Sequence, residues 1–532
     1  MLILQDVSYK HPNKELLFSH LDLVINRNDK IALVGNNGTG KSTLLKIMAG
    51  QLLPSAGTLK SESTPYYIPQ HFGQFNHYTI AEALHIQDKL KALKEILSGN
   101  VTEENMKMLD DDWTIEERCV TAFAHWKLDE LELTQSMDTL SGGQKTKVFL
   151  AGIDIHQPEI VLLDEPSNHL DTQARTILYE YLATTTATLV VVSHDRKLLN
   201  LLNNVYELST RGITIYGGNY DFYAEQKKIE RDALNHDVKS KEKALRKAKE
   251  TEREAMERQQ KLDARGKKKQ EKAGVPTIMM NTLRNNAEKS TAKLKGIHEQ
   301  KIDALAGELD QLRSTLPGTD KMKMGFDDSA LHKGKILITA SNINYRYNDQ
   351  LLWQQSLSFQ ITSGERIVLK GLNGSGKTTL LKLMLGQLQP STGTITLAES
   401  KSIYIDQDYS LINNQLSIYE QAQQFNSGAL QEHEIKIRLT RFLFTKEYWD
   451  KPCSTLSGGE KMRLLLCCLT ISHQSPDIIV LDEPTNNLDI QNIEILTAAI
   501  NEYTGTLIVV SHDEQFLEEI KVGRAILLET GL

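Results

Sequence analysis

Short apolar runs rich in β-branched residues alternate with amphipathic stretches along most of the chain. Two examples are Ile-Val-Leu-Leu at residues 160–163 and Leu-Val-Val-Val at residues 189–192, both flanked by polar residues. Runs this short are typical of strands buried in a parallel sheet, with helices in the stretches between them. The pattern therefore predicts an α/β layer architecture.

The middle of the chain has a different pattern. Residues 224–265 are highly charged and contain neither Pro nor Gly, which predicts a helix of about 60 Å at 1.5 Å per residue. Gly266, Gly274 and Pro276 are expected to end this helix. A second helix is predicted to return beside it, because apolar residues recur there at the 3-4 spacing of a coiled-coil seam. The seam residues are Ile302, Leu305, Leu309, Leu312 and Leu316, and the matching stripe on the first helix is Leu234, Val238, Leu245, Ala248, Ala255 and Leu262.

The parts on either side of this helical hairpin repeat one another. An offset of 336 residues separates two copies of a Gly-x-x-x-x-Gly-Lys segment. The offset is 337 between Gln70 and Gln407 but only 316 between Ser141 and Ser457. The first copy therefore carries about 21 extra residues between Gln70 and Ser141. Such a repeat indicates two copies of one domain.

These offsets predict three parts. The first α/β domain spans residues 1–223 and carries a short insertion at about 86–112. The hairpin spans residues 224–318, and the second α/β domain spans residues 319–532. Each α/β domain is long enough to bury a core without disulfides or metals.

The repeated glycine-rich segments have the context of phosphate-binding loops, with an apolar strand before and a helix after. Glycines let backbone N–H groups surround phosphates, the lysine reaches the β- and γ-phosphates, and the following hydroxyl ligates Mg²⁺. The candidate ATP-binding residues of the two loops are Gly35, Asn36, Gly38, Gly40, Lys41, Ser42 and Thr43, and Gly371, Asn373, Gly374, Gly376, Lys377, Thr378 and Thr379.

Each half also has an apolar run that ends in two acids, Asp164-Glu165 and Asp482-Glu483. Ligands of open α/β sheets bind at the carboxyl ends of the strands, where these acids are expected to lie. The first acid of each pair suits Mg²⁺ binding, together with the hydroxyls of Ser42 and Thr378. The second is the candidate to polarise the attacking water.

With these motifs in place, the chain resembles the ATP-binding cassette ATPases over both halves. The segments Leu-Ser-Gly-Gly-Gln at 140–144 and Leu-Ser-Gly-Gly-Glu at 456–460 match the signature motif of that family. The resemblance implies that each signature loop caps the γ-phosphate bound by the other half, in a head-to-tail pairing within one monomeric chain. The residues it implies are Ser141, Gly142, Gly143 and Gln144, and Ser457, Gly458, Gly459 and Glu460.

The resemblance implies further roles. Gln70 and Gln407 match glutamines that sense Mg²⁺ and the attacking water, and His194 and His512 match the switch histidines. The aromatic residue expected to stack on adenine aligns with Tyr347 in the second half. In the first half it aligns with His11, so stacking there is expected to be weaker or supplied by Tyr9. The Asn-His-Leu-Asp at 168–171 becomes Asn-Asn-Leu-Asp at 486–489. Neither departure removes a phosphate or catalytic group, so both sites are expected to hydrolyse ATP.

Charge is distributed unevenly. The chain carries −8 overall but +7 between Ala224 and Leu316, which leaves −15 for the rest. The basic residues concentrate near the hairpin tip, beside the apolar Ile-Met-Met at 278–280, a combination that suits a phosphate backbone with unstacked bases. The candidate RNA-binding residues are Lys267, Lys268, Lys269, Lys272, Arg284, Lys289, Lys293 and Lys295.

This hairpin between two cassettes resembles the ABC-F proteins, which bind the ribosome at the tRNA exit site and extend the hairpin toward the peptidyl-transferase region. The insertion at 86–112 resembles a reduced form of that family's arm, although the acids at 110–112 make RNA contact there less expected. The resemblance leaves a general translation factor and an antibiotic-resistance protein as open alternatives.

Other classes of ATPase fit less well. A soluble tandem ATPase subunit of a membrane transporter is the main alternative, but such subunits lack a charged hairpin of this length. Chromosome-maintenance ATPases place their coiled coil inside a half, and zinc-bearing excision-repair ATPases need cysteine clusters, whereas this chain has four scattered cysteines. The chain has no signal-peptide pattern at its start and no run of 18 apolar residues, so a cytoplasmic protein is expected.

Overall fold

The computed structural model describes residues 1–11, 15–209, 211–272, 277–315, 332–347, 350–472, 475–486 and 488–529. The side chains of residues 263, 266–272, 277–291, 294 and 313–315 fall outside this description. The chain divides into two compact units, one formed by Met1–Asp221 with Lys321–Leu532 and the other by Phe222–Asp320. The predicted boundary between residues 318 and 319 lies outside the described residues.

The first half is a mixed α/β structure. Its strands are β1 (Leu2–Lys10), β2 (Leu16–Ile25), β3 (Lys30–Val34), β4 (Ala56–Ser61), β5 (Tyr66–Ile68), β6 (Ile160–Asp164), β7 (Thr188–Val192), β8 (Asn204–Ser209) and β9 (Gly212–Tyr216). Its helices are α1 (Lys41–Met48), α2 (Ile80–Ala83), α3 (Gln87–Leu97), α4 (Glu103–Leu109), α5 (Ile115–His125), α6 (Gly142–His156), α7 (Thr172–Thr184) and α8 (Arg196–Leu199). A six-stranded sheet has the order β5-β6-β7-β3-β8-β9, in which only β9 is antiparallel, and β2-β1-β4 form an antiparallel sheet.

The hairpin unit holds two long helices, α9 (Tyr220–Lys272) and α10 (Thr277–Thr315). Val238 on α9 and Leu309 on α10 are buried, as the seam pattern predicts, and Lys241 pairs with Glu308 between the helices. Leu262 departs from the pattern, because its side chain is exposed.

The prediction that the first helix ends at Gly266 is wrong. Helix α9 continues through this glycine to Lys272. One glycine inside a helix costs only about 1 kcal/mol relative to alanine, and good helix formers such as Lys and Gln surround it here. Gly274 and Pro276 lie outside the described residues.

The second half repeats the first. Its strands are β10 (Ile336–Asn344), β11 (Arg346–Tyr347), β12 (Gln350–Leu351), β13 (Leu357–Thr362), β14 (Arg366–Lys370), β15 (Thr392–Leu397), β16 (Ser402–Ile405), β17 (Ile478–Asp482), β18 (Thr506–Val510) and β19 (Arg524–Leu527). Its helices are α11 (Lys377–Met384), α12 (Ile418–Gln424), α13 (Glu432–Arg441), α14 (Gly458–Ile471), α15 (Ile490–Glu502) and α16 (Glu514–Glu519). A parallel sheet has the order β16-β17-β18-β14-β19, and β13-β10-β15 form an antiparallel sheet. The predicted α/β fold with two matching halves is confirmed.

The central strands are buried on both faces, which positions the site. Every residue of β6, β7, β17 and β18 is buried. Because these strands are parallel, the acids that end β6 and β17 lie at the same edge of the sheet as the loops that follow β3 and β14. Within the described residues, no helix is long and apolar enough to cross a membrane.

Helices α3 and α4 lie where the sequence predicts an insertion. Asp112 follows them, and its carboxylate accepts hydrogen bonds from Lys89 at 3.0 Å and from Arg118 at 2.9 Å. The side chain of Asp112 is only 13% exposed. These partners join the insertion to α5 and lower the pKa of Asp112, with Arg118 the larger cause. The acid therefore has a structural role in this fold.

Replacing Asp112 with Asn should loosen the insertion. The loss of two charge-assisted hydrogen bonds should lower the local opening free energy of α3 by about 1–3 kcal/mol, measured by amide hydrogen exchange at neutral pH. Because the pKa is lowered in the fold, this stabilisation exists above the ordinary aspartate pKa and should fade as pH falls through the lowered value. Asp111→Asn, at an exposed neighbouring position, is the control. Equal exchange in both variants would contradict the assignment.

Candidate functional site

Both glycine-rich loops fold back on the lysine that ends them. Lys41 Nζ donates to the carbonyl oxygens of Gly35 at 2.7 Å and Asn36 at 3.1 Å. Lys377 Nζ donates to Gly371 O at 2.8 Å and to Leu372 O at 3.0 Å. Burial lowers the pKa of both lysines, although nearby carboxylates oppose the shift.

Glycine is required at the start of the first loop. Gly35 has φ 150°, and a Cβ there would lie 2.4 Å from the carbonyl oxygen of Leu208. Gly40, at φ 97°, caps the start of α1 in the left-handed region. The loop thus passes close to β8 and delivers Lys41, Ser42 and Thr43 to the first turn of α1.

The acids of the first half lie beside this loop. Tyr67 donates its hydroxyl to Asp164 Oδ2 at 3.3 Å, while Asp164 Oδ1 is buried without a hydrogen-bond partner among the described residues. Burial raises the pKa of Asp164, and hydrogen bonds from Ser42 and Tyr67 oppose this. An orphaned carboxylate oxygen next to a hydroxyl is a donor set that fits a hard cation such as Mg²⁺.

Glu165 adopts a left-handed backbone conformation, φ 54°, and its N–H donates to Val192 O at 2.8 Å. This conformation turns the side chain toward His194, whose Nε2 lies 3.2 Å from Glu165 Oε1. Burial raises the pKa of Glu165 to about 8 and lowers the pKa of His194 to about 3. Although the two groups lie within ion-pair distance, burial keeps the imidazole uncharged, so the contact is that of a neutral histidine with a carboxyl group.

The second half has the same arrangement. Tyr404 donates to Asp482 Oδ2 at 2.8 Å, and His512 Nε2 lies 3.4 Å from Glu483 Oε1. Burial raises the pKa of Glu483 to about 7 and lowers that of His512 to about 4. Arg175, which belongs to the first half, also acts on Glu483 and opposes the rise in its pKa.

The two signature loops start helices in the same way. Ser141 accepts a hydrogen bond from Gln144 N at 3.3 Å and its own N–H donates to Gln144 Oε1, which forms a capping box at the start of α6. Ser457 and Glu460 form the equivalent box at the start of α14. The N-terminal backbone N–H groups of each helix are therefore presented by a fixed loop.

The halves contact one another through their phosphate loops. The backbone N–H of Asn37 donates to Asp489 Oδ2 at 3.2 Å, and Asn373 Nδ2 donates to His169 O at 2.8 Å. Gly143 lies against the second contact, because a Cβ there would be 2.7 Å from His169 O and 2.9 Å from Asn373 Nδ2. Each phosphate loop thus lies against the loop that follows the acids of the other half.

A cavity of about 780 Å³ contains residues of both halves. The signature loop of the first half faces groups of the second half across it. The first half contributes Ser141, Gly142, Gly143, Gln144, His169 and Arg175, and the second contributes Asn373, Gly374, Gln407, Glu483 and His512. Four predicted residues of one composite site, Ser141, Gly143, Glu483 and His512, therefore lie around a single space, whereas Lys377 and Asp482 do not line it.

The positions of Gln70, Tyr347 and His11 give less support to their predicted roles. Gln70 is partly buried after β5. Tyr347 is half exposed, with its hydroxyl 3.2 Å from Thr379 Oγ1. His11 is exposed, and its ring meets the ring of Tyr9 edge-on at 5.6 Å. Adenine stacking by these groups stays a prediction.

Of the predicted RNA-binding residues, only Lys293 and Lys295 have described side chains. Both are exposed, and Lys295 lies 3.5 Å from Glu299 one turn along α10. The side chains of the other residues lie outside the described residues: Lys267, Lys268, Lys269, Lys272, Arg284 and Lys289.

Two groups of residues in the site were not predicted from the sequence. Tyr67 and Tyr404 are separated by 337 residues, the offset that also separates the two glutamines, so the repeat contained a signal for them. Thr172 and Arg175 carried no such signal, because Ile490 and Ile493 occupy the matching positions at the offset of 318.

Comparison with known proteins gives one family. The sequence profile described as ABC transporter matches residues 18–168 and 354–486. The chain is 32% identical to the putative ATP-binding protein YdiF of Bacillus subtilis (strain 168), over 98% of this chain and 79% of that protein. It is 30% identical to ABC transporter F family member 5 of Arabidopsis thaliana, over 95% of this chain and 72% of that protein. A structure of an archaeal ribosome recycling factor, aABCE1, with the ribosomal stalk protein aP1 shares the fold, with TM-score 0.61 and 20% identity over 98% of this chain and 87% of that one.

The contact between α8 and α16 gives a test of the pairing of the halves. Arg196 Nη1 lies 2.7 Å from Glu519 Oε1, with Arg196 15% exposed, whereas the Lys197–Glu514 pair is more than half exposed on both sides. Arg196→Glu should lower the thermal unfolding temperature, and adding Glu519→Arg should restore it, for a coupling of about 1 kcal/mol or more. Lys197→Glu is the control and should have a smaller effect. No recovery in the Arg196→Glu, Glu519→Arg double variant would count against this pairing.

Proposed function

The chain belongs to the ATP-binding cassette family and, within it, to the ABC-F group, and we propose that this tandem ATPase binds the ribosome at the tRNA exit site. In this proposal, ATP-driven closure of the two cassettes modulates translation or protects the ribosome, and the protein works in the cytoplasm. The observation that carries the catalytic part is the cavity in which the signature loop of one cassette faces Glu483 and His512 of the other.

The proposal includes two composite ATP sites, and this geometry supports the one that contains Glu483. One uses the phosphate loop, acids and histidine of the first cassette with Ser457 and Gly459 of the second. The other uses the corresponding groups of the second cassette with Ser141 and Gly143 of the first. In each site the loop N–H groups and the lysine bind the phosphates, and the opposing helix start adds N–H donors for the γ-phosphate.

Mg²⁺ would be held by Ser42 and Asp164 in one site and by Thr378 and Asp482 in the other, with Gln70 and Gln407 nearby. When bound, the ion would offset the negative charge of the phosphates. Tyr67 and Tyr404 orient the aspartates through their hydroxyl groups, which leaves the remaining carboxylate oxygen available as a ligand.

Glu165 and Glu483 are the proposed general bases. Their pKa values of about 8 and about 7 lie near neutral pH, where a carboxylate can both accept a proton from water and release it again. The neutral histidines beside them can donate a hydrogen bond to the γ-phosphate without adding a charge. The attacking water is thereby placed between a base and the phosphorus it approaches.

Ribosome binding is proposed from the hairpin. The rest of the chain is acidic, so a highly charged RNA particle is attracted mainly to the basic segment. The membership in the ABC-F group supports the same partner. An ATPase subunit of a transporter is the competing function, and the sedimentation experiment below separates the two.

Replacing both Glu165 and Glu483 with Gln should keep ATP binding and lower turnover by about 10²- to 10⁴-fold, because an amide cannot accept the proton. Steady-state phosphate release and equilibrium nucleotide binding measure the two effects. Glu180→Gln, on the exposed face of α7, is the control. Turnover near that of the wild type would show that other groups act as the bases.

The same Glu165→Gln, Glu483→Gln variant should sediment with ribosomes in ATP, because it is held in the closed state.

Replacing Lys267, Lys268 and Lys269 with Ala should lower the salt dependence of binding by roughly two to three units of slope, about one per lost phosphate contact. The matched control replaces Lys239, Lys243 and Lys247, which are exposed on the same helix. If the Glu165→Gln, Glu483→Gln variant stays in the supernatant with and without ATP, the proposal of ribosome binding is wrong. The function as a transporter ATPase subunit is then favoured.

A further inference from the structure

The switch histidine of the second cassette is contacted from the first. Thr172 Oγ1, at the start of α7, lies 3.2 Å from His512 Nδ1. Arg175 Nη1 donates to the carbonyl oxygen of His512 at 3.3 Å. One side chain thus contacts the imidazole ring, and another holds the backbone of the same residue.

Arg175 is itself fixed within the first cassette. Its Nε donates to Leu170 O at 3.2 Å, and its Nη1 lies 3.6 Å from Asp195 Oδ2. Asp195 also accepts a hydrogen bond from Tyr179. The side chain of Arg175 is only 11% exposed. The guanidinium therefore has one defined place, from which it reaches across to His512.

Within the described residues, the first site has no equivalent contact from the matching positions of the second cassette. The second cassette carries Ile490 and Ile493 where the first carries Thr172 and Arg175, and an isoleucine side chain cannot donate or accept a hydrogen bond. His194 Nδ1 is buried and has no hydrogen-bond partner in the described part of the chain. The two sites thus differ at the atom that sets the orientation and tautomer of the histidine.

We propose that Thr172 and Arg175 are positioning residues that act in trans on His512, and that they make the two ATP sites unequal, with the second site faster. The proposal rests on the roles given to Glu483 and His512 in the proposed function. A hydroxyl that donates to Nδ1 leaves the ring proton on Nε2, which is the nitrogen that faces Glu483. Arg175 fixes the backbone from which that ring projects.

The contacts of Thr172 and Arg175 with His512 exist only while the two cassettes are paired. Formation of the interface therefore gives the histidine of the second site two contacts that Ile490 and Ile493 cannot supply in the first site. In the first site Nδ1 has no partner among the described residues, so the ring is held through the contact of Nε2 with Glu165 and lacks a second restraint at Nδ1.

The test measures each site alone. Glu165→Gln leaves only the second site active, and Glu483→Gln leaves only the first. Into each background we would place Thr172→Ile and, separately, Arg175→Ile, which give the first cassette the residues of the second. With only the second site active, each change should lower kcat for ATP by about three- to tenfold, the effect of one lost hydrogen bond, with KM changed less than twofold. With only the first site active, kcat should be unchanged by Thr172→Ile and should fall less by Arg175→Ile than it does with only the second site active, because Arg175 also pairs with Asp195 next to His194.

Two further variants keep the test sharp. Thr176→Val lies one turn along α7, where the Thr176 hydroxyl donates to the carbonyl oxygen of Thr172, and should leave kcat unchanged in both backgrounds. Ile490→Thr offers the first site the missing hydroxyl and should raise its kcat in the Glu483→Gln background. If Arg175→Ile does not fold, as judged by nucleotide binding and thermal unfolding, Thr172→Val provides the same comparison.

Equal losses in both backgrounds, or no loss in either, would overturn the proposal. Full turnover in the Glu165→Gln, Glu483→Gln double variant would instead contradict the assignment of the bases. Because all measurements use the full chain without ribosomes, their outcome does not depend on the ribosome as partner.

Discussion

One hydrogen bond joins each phosphate loop to the opposite cassette, from Asn37 to Asp489 and from Asn373 to His169. The remaining features of the site depend on this contact. Parallel strands bring a phosphate loop and an acid pair to the same edge of a sheet, and an N-terminal helix end from the other cassette then covers that edge. The close approach at Gly143 leaves no room for a side chain, which explains why the signature needs glycine where the cassettes meet.

The contact also gives electrostatic coupling between the halves. Asp489 acts on Lys41, and Asp171 acts on Lys377, each from the opposite cassette. Burial lowers the pKa of both lysines and raises the pKa of Glu165 to about 8 and of Glu483 to about 7, so the charge of the glutamates is sensitive to what surrounds them. In the proposed function, moving the cassettes apart would expose these groups to water, so nucleotide binding and closure of the interface would be linked through the same buried charges.

The fold and much of the site could be predicted from the sequence because their determinants are local. A strand, a glycine-rich turn and a following lysine lie within a few residues of each other. Their recurrence in both halves argues against a chance match. Contacts that need the folded chain could not be predicted: Thr172 and Arg175 meet His512 across more than 330 residues. The end of α9 was misplaced for a different reason, since a single glycine is a weak helix breaker among good helix formers.

The central claim is that each ATP site is built from both cassettes, and the most direct measurement is the effect of Ser141→Arg on each site alone. An arginine in the first signature loop should obstruct the cavity that holds Glu483. It should therefore abolish ATP turnover in the Glu165→Gln background, where only the second site is active, and spare it in the Glu483→Gln background. The opposite result, with turnover lost only in the Glu483→Gln background, would show that a signature loop serves its own cassette and would contradict the account.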